Sequence, residues 1–434
     1  MTRRVAVIGS GVAGLSAADA LREQAQVTLF EADARLGGHA HTVNVSLPGR
    51  DGVVTHGVDT GFLVYNERTY PGLIAWLQAL GVSTSESDMS FSVQAPSALA
   101  GADLEWNGAT LDTVFADRRN LLRPKFWGML RDILRFNREA TNLATRLQTA
   151  PDDAALMQPL RAFLDQHGFG PTFVHGYLLP MLGCIWSCPT DQMLAFPTAT
   201  MVRFCHNHGL IQVNNRPQWR TVTGGSQAYV QRVAAGLHDV RLATPVASLR
   251  EVEQGVAVHT AAGSEVFDAV VLACHADQAL RLWTDAPAEV AQDLGAIRFQ
   301  DNEAVLHTDT SVMPKRRKAW AAWNYERAAH EAQDSARVCL HYWINRLQPL
   351  PFTTDVLVSL NPVRSIREDA VLGRYHYAHP VFDAPAIRAQ QRLNARAQDG
   401  AGARVALAGA WLGYGFHEDG FQAGRRAAAQ VVRA

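Results

Sequence analysis

Residues Val5–Gly14, VAVIGSGVAG, constrain the fold more than any other stretch of this chain. Val5, Ala6, Val7 and Ile8 make a short apolar run stopped by glycine, the pattern of a buried strand. Gly9, Gly11 and Gly14 follow in G-x-G-x-x-G spacing, and Val12–Leu21 has helical composition. In such a turn Gly9 permits the tight bend, Gly11 lets a pyrophosphate approach the backbone, and Gly14 lets helix and strand pack closely. Phosphates are expected at the helix start, beside Val12 and Ala13, where free N–H groups and the dipole favour negative charge. A second predicted strand, Val27–Phe30, delivers Glu31, followed by Ala32, where a carboxylate can bond ribose hydroxyls. A lone glycine motif is weak. Strand, helix and acid together predict a dinucleotide site.

The next residues select the dinucleotide. Arg35-Leu36-Gly37-Gly38-His39-Ala40-His41-Thr42 resembles the R-x-G-G-x-x-x-T run of flavoproteins in the amine oxidase and carotenoid desaturase superfamily. That resemblance implies FAD, with Gly37 and Gly38 against pyrophosphate and flavin and Arg35 fixing the loop. A plain nicotinamide dehydrogenase has no need of a second glycine turn. Amine oxidases usually carry arginine after the glycine pair, whereas this chain has His39, so the phosphate contact is expected to be weaker or pH-dependent. Gly57–Phe62 resembles the superfamily's D-x-G segment, which implies that Thr60, Gly61 and Phe62 pass the flavin ring.

The end of the chain carries a third resemblance. LAGAWLGYGFHEDGFQAGRRAA reads as a strand Arg404–Ala408, a glycine-rich loop Gly409–Gly420 and a helix Phe421–Val432. It resembles the superfamily's final flavin motif, implying cofactor contacts from Trp411, Gly420 and Phe421 and a helix N-terminus facing the edge that becomes negative on reduction. Relatives often hold the ribityl chain with an acid just after the first glycine; here Ala410 and Trp411 follow it. Arg241–Val246 reads as a strand, and by resemblance Val246 pairs its backbone with adenine.

Fold class follows as α/β, with an α+β substrate part. A Rossmann-type FAD-binding domain at 1–65, 216–280 and 400–434 is expected to interleave with a substrate domain at 66–215 and 281–399, as in monoamine oxidase-like flavoproteins. The 434 residues suffice for two packed domains, and net charge −1 argues against nucleic acid as a partner. Five irregularly spaced cysteines (184, 188, 205, 274, 339) suit reduced thiols in a cytoplasm. No signal peptide and no apolar run of ~18 residues is seen, so a cytoplasmic protein is expected, able to sit peripherally on the inner membrane face.

Two stretches of the substrate region bear on function. In Phe126–Arg138, Phe126, Met129, Leu130, Ile133 and Leu134 share one helical face, with Trp127 alongside; Arg131, Asp132, Arg135 and Arg138 share the other. With Arg123 and Lys125 at its start, helix 124–138 is a candidate for an anionic membrane interface, the alternative being a core helix with a solvated basic face. Cys184, Cys188, Cys205, His206 and His208 are too loosely or too closely spaced for a usual zinc framework, so no metal is expected. Trp186, Phe196, Phe204 and Trp219 suit walls around an apolar substrate. His208 and His417 are the candidates for proton handling, and Gly373–Pro380 (GRYHYAHP) cannot be read functionally from the sequence.

Taken together these runs resemble bacterial FAD-dependent proteins of the amine-oxidase-like superfamily that are similar to the flavin half of plant cyclopropane fatty acid synthases. The resemblance implies desaturation or oxidation of an acyl chain of membrane lipid, including a methylated one. Three other readings stay open: a soluble amine oxidase, a carotenoid-type desaturase or isomerase, and a non-catalytic flavin-bound partner of a lipid methyltransferase. Monoamine-type enzymes keep a lysine near the flavin in the strand before the substrate sheet, and the comparable QDNEAVLHTDT at Gln300–Thr310 has none. No second G-x-G-x-x-G follows a strand, so oxygen or a quinone, rather than a resident nicotinamide, is expected as electron acceptor.

Overall fold

The strand Arg4–Ile8, buried from Val5 onward, is the middle strand of a five-stranded sheet. Its order is Asp239–Arg241, Gln26–Phe30, Arg4–Ile8, Ala269–Leu272, Val405–Leu407, and all pairings are parallel. The computed structural model describes residues 2–99, 101–149, 158–186, 189–212, 216–328, 337–399 and 403–433. Alternate side chains sort to opposite faces of the sheet. Val5, Val7, Leu29 and Val271 pack under the helices Val12–Leu21 and His417–Arg433. Ala6, Ile8, Val270 and Leu272 pack under the antiparallel meander Val246–Val252, Gly255–Thr260, Gly263–Phe267. With both faces covered, apolar runs such as Ala269–Leu272 need no polar alternation.

A seven-stranded mixed sheet forms the other half. Its order is Val371–Pro380, Phe299–His307, Leu357–Leu360, Cys339–Trp343, Trp323–Glu326, Phe91–Leu99, Ala102–Asn107. One face supports the helices Pro124–Thr149, Leu179–Trp186 and Thr198–Asn207 through a core that includes Leu104, Phe126, Phe204 and Leu340. The hairpin Thr42–Gly49/Gly52–Asp59 leaves the parallel sheet toward this half. The two large sheets therefore stand on either side of the segments that carry the glycine motifs. This matches the monoamine oxidase-like flavoprotein fold expected from the sequence.

Three local expectations change. Arg241–Val246 is not one strand: pairing with Gln26–Phe30 stops at Arg241, Ala243 takes a left-handed φ of 48°, and a new strand starts at Val246 in the meander. Pro245, which disfavours helical geometry before it and lacks an N–H, marks the crossing. The last helix starts at His417, not Phe421, because Asp419 accepts from Phe416 N (3.0 Å) and Glu418 also stands in the first turn. The basic helix runs to Thr149, and its apolar face is core: Phe126, Met129 and Phe136 are fully buried and Leu130 and Ile133 half-buried. Asp132, expected on the polar face, is buried, where it accepts from Gly170 N at 3.2 Å. Trp127 and Leu134 are the residues of this helix that expose apolar surface.

Candidate active site

A cavity of about 1050 Å³ runs from the end of Gln26–Phe30, across the glycine turns, to the helices above the mixed sheet. At one end it is lined by Gly9, Ser10, Gly11, Val12, Ala13 and Glu31. The helix Val12–Leu21 begins here with Gly11 as N-cap and no side chain on its first N–H groups. Each motif glycine meets a different environment. A Cβ on Gly14 would lie 1.8 Å from Gly9 O, and one on Gly9 2.6 Å from Ala273 O, so both are required by backbone packing. A Cβ on Gly11 would meet nothing within 4 Å; that position faces open cavity. The cradle therefore fits a diphosphate, with space at Gly11 and unsatisfied donors behind it.

Glu31 is half-buried on the wall, its carboxylate accepting from Ser10 N (2.9 Å), Asp33 N (2.9 Å) and the Ser10 hydroxyl. Ser10 Oγ also accepts from Gly37 N at 3.1 Å, which ties the second glycine turn to the first. Arg35 donates to Gly38 O (2.8 Å), holding Gly37 and Gly38 in their left-handed conformations (φ 107° and 56°). Below this loop, Asp59 is fully buried and collects Thr42 Oγ1 (2.5 Å), Ser226 N (3.0 Å), Ser226 Oγ (2.8 Å) and Gln348 Nε2 (2.8 Å). Burial raises its pKa to about 6 despite these bonds.

Midway, imidazoles from distant segments converge on His39. Its ring centroid lies 5.1 Å from Tyr377, 5.3 Å from His379 and 6.0 Å from His275. Strand geometry explains the first two, because Tyr377 and His379 alternate onto one face of Val371–Pro380. Burial, then repulsion from His379 and His275, holds the pKa of His39 well below that of free imidazole, and burial lowers His379 to about 4. These rings are neutral at pH 7. His417 stacks on Phe62 (3.4 Å, 12°), shares a hydrogen bond with the Tyr229 hydroxyl (3.1 Å), and is lowered by burial to about 3.

The far end is apolar. Leu63, Val64, Met89, Cys184, Ile185 and Phe204 line it, with Leu210, Trp219, Trp323, Tyr342 and Phe416. The charged lining residues, Glu31, Asp33, Arg35, Asp277, Arg298 and Asp301, all belong to the glycine loops or to the segment 277–301. His208 is the one titratable imidazole here. Its Nδ1 donates to Phe204 O (3.0 Å), its ring stacks on Phe204 at 3.9 Å, and burial lowers its pKa to about 4. The neutral ring therefore keeps Nε2 as a proton acceptor.

Of the residues singled out from the sequence, Gly9, Gly11, Val12, Ala13, Glu31, Arg35, Gly37, Gly38, His39, Gly61, Phe62, His208, Trp411 and His417 line this one cavity. Six others do not. Gly14 faces Gly9 O, and Gly420 faces Val12 Cγ1. Thr60 turns its hydroxyl to Tyr377 (2.6 Å), and Phe421 packs on Trp76. Ala32 is exposed beyond Glu31, and Val246 opens the meander on the outer face of the parallel sheet. His275, Tyr377 and His379 carry no sequence signal of their own beyond a strand end and an aromatic–histidine alternation.

Of the loose Cys–His set, Cys184 and Cys205 are buried on different helices, and Cys188 lies outside the described residues. Among the described residues, Glu326, Cys339 and His341 do bring three ligand-type atoms within 4.8 Å. They are already engaged: Glu326 pairs with Arg364 (2.6 Å) and His341 Nε2 (2.9 Å), and His341 Nδ1 meets Ser359 Oγ (2.6 Å).

The architecture is shared with known proteins. Cyclohexylamine oxidase from Brevibacterium oxydans IH-35A superposes with a TM-score of 0.71 at 18% identity, covering 100% of this chain and 99% of that one. Putrescine oxidase bound to putrescine gives 0.68 at 16% identity, covering 100% and 99%. A fatty acid isomerase from P. acnes that produces CLA gives 0.65 at 14% identity, covering 98% and 97%. Among the described residues no helix is long and apolar enough to cross a membrane. The profile of flavin-containing amine oxidoreductases matches residues 12–432, nearly the whole chain, so this protein belongs to that family, an FAD oxidoreductase whose glycine cradle and cavity suit the cofactor.

Proposed function

We propose that the protein oxidises an apolar chain, the acyl chain of a membrane lipid and in particular a methylated one, as a desaturase or oxidase. The observation that carries this reading is the segregation of charge in the cavity: its substrate end has apolar and aromatic walls and, among the described residues, no charged side chain. Desaturation removes a hydride from one carbon and a proton from its neighbour. FAD supplies the hydride acceptor when bound. His208 suits the proton, being neutral at pH 7 and held by Phe204 O with Nε2 available. The same fold serves a protein described as a fatty acid isomerase, which supports room for an acyl chain beside FAD.

A second reading, oxidation of a soluble amine, has its own support. Trp323 and Tyr342 meet edge to face at 4.8 Å in the cavity wall, and such rings attract ammonium groups. Anaerobic mixing separates the two. A methyl-branched acyl lipid in detergent should bleach the bound flavin, and His208→Leu should slow bleaching without loss of FAD. Bleaching by primary amines but by no acyl chain would discard the lipid reading.

A further inference from the structure

Half of the ten large apolar side chains exposed among the described residues share one region of the chain. Leu111 (80% exposed), Leu121 (47%), Leu122 (87%), Trp127 (49%) and Leu134 (62%) fall within one short stretch of chain. Trp127 links two of the segments that carry them. Leu111 begins the turn that ends at Phe115, whose buried ring lies 5.3 Å from Trp127, and Trp127 Nε1 donates to Leu121 O at 3.0 Å. A side chain such as Leu122 gains nothing in water. Clustered exposure of this kind marks a contact surface.

Charge surrounds it. Residues 111–134 and 315–318 carry nine lysines and arginines against three aspartates, in a chain of net charge −1. The two segments are stitched through shared carboxylates: Lys318 (2.9 Å) and Arg118 both reach Asp112, and Arg316 (3.4 Å) and Arg119 (2.9 Å) both reach Asp117. Counting Asp103, Glu105 and Asp355, which pair with 315–318, cations still exceed carboxylates by three. Leucines and a tryptophan inside a basic rim match the interface of an anionic bilayer, apolar below and negative above.

We propose that this face docks on an anionic lipid surface, with Leu111, Leu122 and Trp127 entering the interface and the rim of arginines and lysines meeting phosphate headgroups. The proposal rests on the acyl-chain reading and gives it a route. The helix Pro124–Thr149, which carries Trp127, packs on Thr198–Asn207, whose Phe204 lines the apolar end of the cavity. This surface differs from the one the helical pattern suggests, since Phe126 is fully buried.

The test uses the full chain loaded with FAD and vesicles of phosphatidylglycerol and phosphatidylcholine, with pure phosphatidylcholine as control. Co-sedimentation is expected with the anionic vesicles at low salt and is lost near ~1 M salt, where the Debye length is ~3 Å. Leu111→Asp/Leu122→Asp should weaken partition at least about tenfold, because both side chains leave the apolar layer. Arg131→Gln, at an 80% exposed side chain, should weaken it about fivefold. Flavin absorbance and melting temperature should not move in either variant. Wild-type protein that ignores anionic vesicles overturns the proposal. So does a leucine double variant that binds as before, or one that only breaks a dimer of this chain in sedimentation velocity. A soluble methyl-branched fatty acid separates the two ideas. Flavin reduction by it without vesicle binding removes the docking face alone; vesicle binding with no acyl chain reducing the flavin removes the substrate reading alone.

Discussion

The last two glycines of the first motif, Gly11 and Gly14, should fail in opposite ways. A Cβ at position 14 would sit 1.8 Å from Gly9 O, so Gly14→Ala forces backbone apart by more than 1 Å at the junction of strand and helix. Overpacking of this kind costs about 1–3 kcal/mol, at its upper end when the obstacle is backbone, and lowers the melting temperature of the FAD-free chain. At Gly11 the backbone is extended (φ −63°, ψ 175°) and a Cβ meets nothing within 4 Å. Gly11→Val should therefore leave FAD-free stability within about 0.5 kcal/mol. Its isopropyl group would instead fill the space before the N–H groups of Val12 and Ala13. Losing two charge-assisted bonds at ~1.5–3 kcal/mol each weakens FAD by at least about a hundredfold. The assay is FAD titration by quenching of flavin fluorescence, paired with thermal melts of the same FAD-free preparations. Gly11→Val protein that binds FAD normally, or that unfolds without FAD, would refute the reasoning.

Three further outcomes follow from the same geometry. His39→Arg places a permanent cation where a neutral imidazole now stands and should tighten FAD, by a similar factor at pH 6 and pH 8 because the buried imidazole is neutral at both; equal or weaker binding argues against a phosphate contact there. Asp59→Ala leaves several of the donors from Thr42, Ser226 and Gln348 unsatisfied, at roughly 1–3 kcal/mol each, and should lower both the denaturant midpoint and FAD retention, whereas Asp59→Asn should be milder. Acid should destabilise the FAD-free chain. His208, His307 and His379 take protons near 6.5 when unfolded but only near 4 when folded, so stability rises with pH across that window, by up to roughly 3 kcal/mol per group. Asp59 and Asp419, raised to about 6, act in the opposite sense and offset part of this. A melting temperature at pH 5 equal to or above that at pH 7.5 would contradict the balance.

How much of this was legible beforehand depends on how local each feature is. The dinucleotide cradle is readable because strand, glycine spacing, Glu31 and the Arg35–Gly38 loop are consecutive in the chain, and each residue type has one steric or hydrogen-bonding reason to be there. The apolar runs Ala269–Ala273 and Val405–Ala408 are readable as strands, and both join the sheet that Arg4–Ile8 begins. The site's character is not local. His39 meets His275 and His379 only because the parallel sheet and the mixed sheet face one another, and no pattern within GRYHYAHP encodes that encounter. The last helix starts early because of contacts made elsewhere too: Glu418 accepts from Gly72 N (3.0 Å) and Leu73 N (2.8 Å) at another helix start. The same holds for Phe126–Arg138. Periodicity divides that helix into two faces, but Asp132 of the polar set is buried and Leu134 of the apolar set is exposed, because burial is decided by what packs against each residue. Phe126 finds Trp106 and Phe115 and disappears, while Trp127, which meets Phe115 from the solvent side, stays half exposed and Leu122 stays in solvent. Sequence alone determines spacing and conformational preference; burial is a property of pairs of distant surfaces, and it exists only once the chain has brought them together.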